Sequence, residues 1–103
     1  MAKYTIMLAC AAGMSTSLLV TKMQKSAEDQ KIDAEIFATS ATDVDEKISE
    51  KNPDVLLIGP QVRYLLSDFK KKLNIPVDVI DMRDYGQMNG TNVLKFAMNK
   101  VTA

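Results

Sequence analysis

The sequence predicts an α/β fold: a single four-stranded parallel sheet with helices on both faces. Three observations lead there. Strand-like and helix-like segments alternate along all 103 residues. Asp54-Val55-Leu56-Leu57-Ile58-Gly59 is a continuous apolar run, as expected of a central parallel strand buried on both faces. Each connection between strand signals is long enough to carry a helix, the crossover that parallel pairing requires.

The elements follow in order. Lys3 to Ala9 is β-compatible and ends in a loop of small residues. Ser15 or Thr16 can cap a helix whose apolar positions Leu18, Leu19, Met23 and Ala27 recur at helical spacing, and the polar segment Glu28 to Lys31 ends it. Glu35-Ile36-Phe37-Ala38 reads as a second strand. Thr42 or Asp43 opens a second helix, with Val44 and Ile48 one turn apart; it stops near Asn52-Pro53, because the residue before proline disfavours helix. Gly59-Pro60 closes the third strand, and a third helix runs from about Gln61 to Leu73 with Val62, Leu65, Leu66 and Phe69 inward. Lys70-Lys71-Lys72 fits its last turn, the end that favours basic groups. Asn74-Ile75-Pro76 turns into a fourth strand, Val77 to Ile80. Asp81 to Gly90 is expected to be irregular, with Gly86 and Gly90 as punctuation, before a final helix from Thr91 to Val101.

Length and composition set the boundaries. A chain of 103 residues is expected to be one domain spanning 1–103, able to bury about two-thirds of its unfolded surface without metal or disulfide staples. Thirteen basic and thirteen acidic residues give no net charge, so nothing in the balance suggests a nucleic acid or an acidic membrane as partner. No apolar run approaches the roughly 20 residues needed to span a bilayer, and Met1-Ala2-Lys3-Tyr4 leads into a strand with no signal-peptide core. A single cysteine excludes an internal disulfide and suits a reducing compartment, so a cytoplasmic protein is expected. The chain has no histidine. A Cys–His pair and a cysteine/histidine zinc site are thereby excluded, and neither a metal nor a cofactor is expected. With no surplus apolar face evident, the expectation is a monomer.

The motif that carries chemistry is Cys10-Ala11-Ala12-Gly13-Met14-Ser15-Thr16-Ser17. It puts one thiol at the C-terminal end of a first strand and beside a helix N-terminus, where unpaired N–H groups attract a thiolate or a phosphate. In an open α/β sheet this is also the rim where ligands bind. A lone cysteine is often only a small buried hydrophobe. The glycine and three hydroxyls immediately after Cys10 point instead to a nucleophile beneath a phosphate cradle, with Gly13 permitting close approach. At least one hydroxyl is expected merely to cap the helix. Cysteine-dependent phosphatases use a Cys-x5-Arg loop whose arginine clamps the phosphate; six residues after Cys10 stands Thr16. Such a loop can hold a phosphoryl group but is poorly equipped to hydrolyse its own thiophosphate, which favours a carrier.

The stretch Cys10 to Val20 resembles the loop of the IIB component of lactose/cellobiose-type sugar phosphotransferase systems, nearest to the cellobiose- and chitobiose-type proteins. The likeness continues through Leu57-Ile58-Gly59-Pro60-Gln61-Val62-Arg63-Tyr64 and Tyr85-Gly86-Gln87-Met88-Asn89-Gly90, and so covers essentially the whole chain. Ala11 stands where some relatives carry serine, one optional hydrogen bond fewer. The resemblance implies a fold similar to the low-molecular-weight tyrosine phosphatases and a phosphotransferase without a cofactor. In it, the Cys10 thiolate accepts a phosphoryl group from a phosphohistidine of a IIA protein. The phosphocysteine then phosphorylates a β-disaccharide brought in by a membrane IIC transporter. The phosphate would be bound by Ala11, Ala12, Gly13, Met14, Ser15, Thr16 and Ser17, mainly through backbone amides from Ala12 to Thr16. Gln61, Arg63 and Tyr64, on the same rim, are candidates for docking IIA and IIC. Against this, Arg63 can be merely solvated and Tyr64 part of the helix's packed face.

The strongest alternative is a low-molecular-weight cysteine-dependent phosphatase, in which Asp84 of Asp84-Tyr85-Gly86 would be the general acid; otherwise Asp84 is an exposed loop carboxylate. A regulatory domain sensing phosphorylation state, or a redox-sensing thiol without a resolving partner in the chain, are the other classes.

Overall fold

The computed structural model describes residues 3–11 and 14–102, without the side chains of Met14 and Ser15. Four strands, β1 (Tyr4–Cys10), β2 (Ala34–Ser40), β3 (Val55–Ile58) and β4 (Val77–Val79), form one sheet in the order β2-β1-β3-β4. Every pairing is parallel, with Tyr4 opposite Ala34, Ile6 opposite Val55 and Leu56 opposite Val77. The helices are α1 (Met14–Asp29), α2 (Val44–Lys51), α3 (Leu66–Lys72), α4 (Met82–Gly86) and α5 (Gly90–Val101), with 3-10 turns at Ala41–Asp43 and Pro60–Leu65.

The period-two geometry of the central strands divides the core into two layers. Ile6, Leu8, Val55 and Leu57 face Leu19, Met23 and Ala27 of α1 and Val93, Leu94 and Ala97 of α5. Met7, Ala9, Leu56 and Ile58 face Val44 of α2, Val62 of the 3-10 turn and Phe69 of α3. Both faces of β1 and β3 are therefore covered, which is why their sequences are apolar without alternation. The expected architecture is the observed one.

Differences in detail have physical causes. The third helix does not begin regularly at Gln61: Pro60–Leu65 is a 3-10 segment, interrupted at Val62 (φ −118°, ψ 25°), and regular α-helix starts at Leu66. Val62 leaves helical geometry while its side chain remains buried in the core, so tertiary packing prevails over local periodicity. Residues 81–90 are not irregular throughout: Met82–Gly86 is the helix α4, and a short turn joins it to α5. Asp81 accepts hydrogen bonds from the Arg83 and Asp84 N–H groups (2.9 and 3.1 Å) and so caps α4. Gly90 is the first residue of α5 rather than a break before it, with Asn89 as the cap. A Cβ on Gly90 would lie 2.6 Å from the Lys22 carbonyl carbon and 2.7 Å from the Met23 nitrogen. Only glycine lets the α5 backbone come this close to α1.

Candidate active site

Strand order positions the site. The chain goes from β1 to β2 on one side and places β3 on the other, so the order reverses between β1 and β3. The crevice at the carboxyl ends of those two strands is the ligand-binding position of an open parallel sheet. Cys10 is the last residue of β1 and Gly59 directly follows β3. The Gly59 N–H donates to the Ala9 carbonyl at 2.8 Å, tying the two strand ends together. Cys10 is 4% exposed. A Cβ on Gly59 would stand 3.3 Å from the Cys10 Cβ and 3.3 Å from Gln61 Oε1. Gly59 thus gives the thiol a neighbour with no side chain, and Gln61 comes to the same crevice.

From Cys10 the chain passes through exposed Ala11 into α1; Ala12 and Gly13 lie outside the described residues, as do the side chains of Met14 and Ser15. α1 begins at Met14, so Ser15 and Thr16 lie inside its first turn and neither is the cap expected of them. The first-turn N–H groups have no intrahelical partner. They sit on the rim that Cys10 occupies, an arrangement able to stabilise an anion. Ser17 is exposed. Thr16 is completely buried, and its Oγ1 lies 3.3 Å from the hydroxyl of Tyr85, a residue of α4 that is 7% exposed.

Tyr85 also lines an open groove of about 520 Å³, together with Pro60, Gln61, Met82, Gly86 and Met88. One wall of this groove starts directly after Gly59, and the other is joined through Tyr85 to the first turn of α1. A polar groove of about 790 Å³ lies beside it, lined by Asp81, Met82, Arg83, Asp84, Gln87 and Asn92. Asp84 is not an exposed loop carboxylate. It is half-buried on α4, and its Oδ1 accepts a hydrogen bond from the Asn92 amide at 3.1 Å, bracing α4 against α5.

Gln61, Arg63 and Tyr64 occupy the 3-10 segment after β3, all exposed. Tyr64 is 73% exposed, so it is not part of a packed helix face; the 3-10 winding turns it outward while Val62 takes the buried position. The 3-10 segment brings Gln61, of the three, to the crevice beside Gly59.

Two residues of this neighbourhood, Tyr85 and Gly59, were not among the expected site residues. Gly59 had a signal in the sequence, a glycine ending the strand next to the cysteine strand. Tyr85 had no local signal, since its partner Thr16 is 69 positions away.

The candidate site is thus a thiol at the switch point, with a helix start beside it and Gly59 as its neighbour at the end of β3. The family profile of the PTS system, lactose/cellobiose-specific IIB subunit, matches residues 5–96. The chain belongs to this family. IIB subunits are phosphotransferases of sugar phosphotransferase systems, and this one is such a phosphotransferase. It is 53% identical over 105 residues to the PTS system cellobiose-specific EIIB component of Lactococcus lactis subsp. lactis, covering 96% of this chain and 97% of that protein. It is 52% identical over 105 residues to the galactose-specific EIIB component of Lactococcus lactis subsp. cremoris, with the same coverage of 96% and 97%. The solution structure of a cellobiose-specific IIB component protein from Borrelia burgdorferi superposes with a TM-score of 0.80 at 39% identity, covering 96% of this chain and 92% of that one. The lactose-specific IIB domain of Streptococcus pneumoniae superposes with a TM-score of 0.78 at 16% identity over 94% and 96% of the two chains, a likeness of fold alone. Among the described residues of this IIB subunit no helix is long and apolar enough to cross a membrane.

Proposed function

We propose that this IIB subunit is a cytoplasmic phosphoryl carrier, formed by residues 1–103 as one domain, with Cys10 as the group that carries the phosphate. In the first step the Cys10 thiolate attacks the phosphorus of a phosphohistidine on a IIA protein. An S–P bond forms as the N–P bond breaks, and the imidazole leaves. In the second step a hydroxyl of the sugar held by a membrane IIC transporter attacks the phosphocysteine. An O–P bond forms, the S–P bond breaks, the hydroxyl proton leaves to the acceptor side, and the thiolate is regenerated. Because this chain has no histidine, the donor imidazole must come from the partner.

The observation that carries this reading is the place of Cys10: at the end of β1, in the β1/β3 crevice, next to the start of α1. Backbone N–H groups of residues 11–17 would bind the phosphoryl oxygens, with Thr16 and Ser17 adding hydroxyl donors. The position six residues after Cys10 holds neutral Thr16, which supplies no cationic clamp for hydrolysis and supports transfer over the phosphatase reading. Gln61, Arg63 and Tyr64 would belong to the surface that meets IIA and IIC. The acceptor is proposed to be a β-disaccharide of the cellobiose or chitobiose kind. Relatives of 53% and 52% identity carry different sugars in their names, which supports a sugar choice made largely by IIC.

The test is intact-mass analysis after incubation with phosphoenolpyruvate, the general phosphotransferase proteins and a cellobiose-type IIA. Wild type should gain one acid-labile phosphoryl group and Cys10→Ser none, while both unfold at the same temperature. An unmodified wild type beside an active donor chain rejects the carrier.

A further inference from the structure

We propose that Tyr85 is a positioning residue for phosphoryl transfer at Cys10, acting through the hydroxyl of Thr16; this rests on the carrier reading above. Thr16 and Tyr85 form a buried hydroxyl pair at 3.3 Å, linking the first turn of α1 to α4 across 69 residues of sequence. A hydroxyl can donate one hydrogen bond and accept others. Of the two, the phenol is the stronger acid and the better donor. With Tyr85 donating to the Thr16 oxygen, the Thr16 proton is left to donate in turn. On the first turn of α1 that proton is available to an oxygen of a phosphoryl group on Cys10, and accepting from Tyr85 strengthens it as a donor.

The surroundings make this more than a packing contact. Tyr85 lines the same groove as Pro60 and Gln61, and Gln61 meets the same crevice as Gly59 and Cys10. Gly59 and Gln61 thus join the Cys10 end of β1 to the groove, and Tyr85 joins the groove to Thr16 in the first turn of α1. A buried pair with a purely structural role could be replaced by apolar groups of the same shape at little cost. A pair that directs a proton could not.

The experiment is single-turnover phosphorylation by a phosphorylated cellobiose-type IIA over a range of donor concentrations, with unfolding temperatures recorded for each variant. Tyr85→Phe is expected to lower the maximal rate by roughly five- to tenfold, leaving the half-saturating donor concentration unchanged. Thr16→Val should lose at least as much, the double variant no more than Thr16→Val, and Thr16→Ser should restore the rate. A wild-type maximal rate in Tyr85→Phe overturns the proposal, as does a loss confined to the half-saturating concentration, or losses that add in the double variant. Should Tyr85→Phe prove unstable, the contrast between Thr16→Ser and Thr16→Val decides alone: equal rates overturn the proposal. Wild type is measured in the same series, so a chain that accepts no phosphate shows the carrier reading itself to be wrong, and the inference falls with it.

Discussion

Gly59 and Gly90 both sit where the chain must come close to itself, but they meet different things. A Cβ at Gly90 would run into backbone, at 2.6 and 2.7 Å from atoms of Lys22 and Met23. A Cβ at Gly59 would touch the Cys10 Cβ and the end of the Gln61 side chain, each at 3.3 Å. The first contact holds two helices together and has nothing to do with the rim. The second leaves the fold room to adjust but presses on the residue proposed to carry the phosphate. One glycine serves packing and the other lies beside the proposed phosphate carrier, so the two should separate cleanly when each is given a methyl group.

Gly90→Ala should have the larger effect on stability. Helix backbone cannot move aside as a side chain can, so α5 would have to shift away from α1 and open the layer containing Leu19, Met23, Val93 and Leu94. Overpacking of this kind costs about 2–3 kcal/mol. In a domain of this size that lowers the unfolding temperature by roughly 10–20 °C. Thermal unfolding followed by circular dichroism reads it directly. Molecules that remain folded at low temperature should be phosphorylated at a rate close to wild type. A drop of only a degree or two would mean that the helices slide apart freely and that the contact is not the constraint it looks to be.

Gly59→Ala should invert the pattern. Its φ and ψ of −62° and 146° suit any residue, so the backbone is not strained by a side chain. Removing a glycine also restricts the unfolded chain, which offsets the tighter contact, and the net change in stability should stay within about 1 kcal/mol. Gln61 can swing away, whereas Cys10 ends a strand paired on both sides of the sheet. The added methyl therefore displaces the thiol or narrows its crevice by a few tenths of an ångström. Since a misplacement of about 1 Å can cost a hundredfold, a rate of phosphoryl arrival lower by roughly three- to tenfold is expected. An unchanged rate would show that the crevice tolerates a methyl opposite the thiol and would weaken the case for Gly59 as part of the site.

The same contrast explains what could be read from the sequence. The strands and the outer bounds of the helices were legible because they depend on local pattern: the apolar run 54–59, the spacing of Leu19, Met23 and Ala27, and the Asn52-Pro53 stop. The place of Cys10 at the end of β1 was legible because the apolar run of the first strand stops there. Tertiary closeness was not. Gly90 looked like punctuation because nothing near it in sequence mentions Lys22. Thr16 looked like a cap because its partner is on α4, and α4 itself is five residues long with no apolar period to announce it. Tyr64 could be read either as a docking residue or as part of a packed face, and only the 3-10 winding after Pro60 shows that it is turned to solvent.

The smallest expected effect sharpens the comparison from the other end of α5. Where Gly90 joins the start of this helix to α1 by backbone contact, Lys100 joins its last turn to β4 by an ion pair, Nζ to the Asp78 Oδ2 at 2.8 Å. Burial tends to raise the Asp78 pKa. The hydrogen bonds from Lys100 and from the Val79 N–H, with the charges of Lys100 and Lys70, outweigh it and leave the carboxyl below its ordinary value. A carboxyl with a lower pKa in the folded state stabilises the fold above the pKa of the unfolded chain. That contribution is complete above the ordinary carboxylate range, near about pH 4, and is lost as the pH falls through the folded value. Asp78 is partly open to solvent, so screening limits the contribution to less than about 1 kcal/mol. Asp78→Asn should thus unfold a few degrees below wild type at neutral pH, with the gap shrinking as the solution is acidified, and 1 M salt should reduce it further. A gap that persists undiminished in acid would assign the loss to shape rather than charge, making this end of α5 depend on packing as Gly90 does.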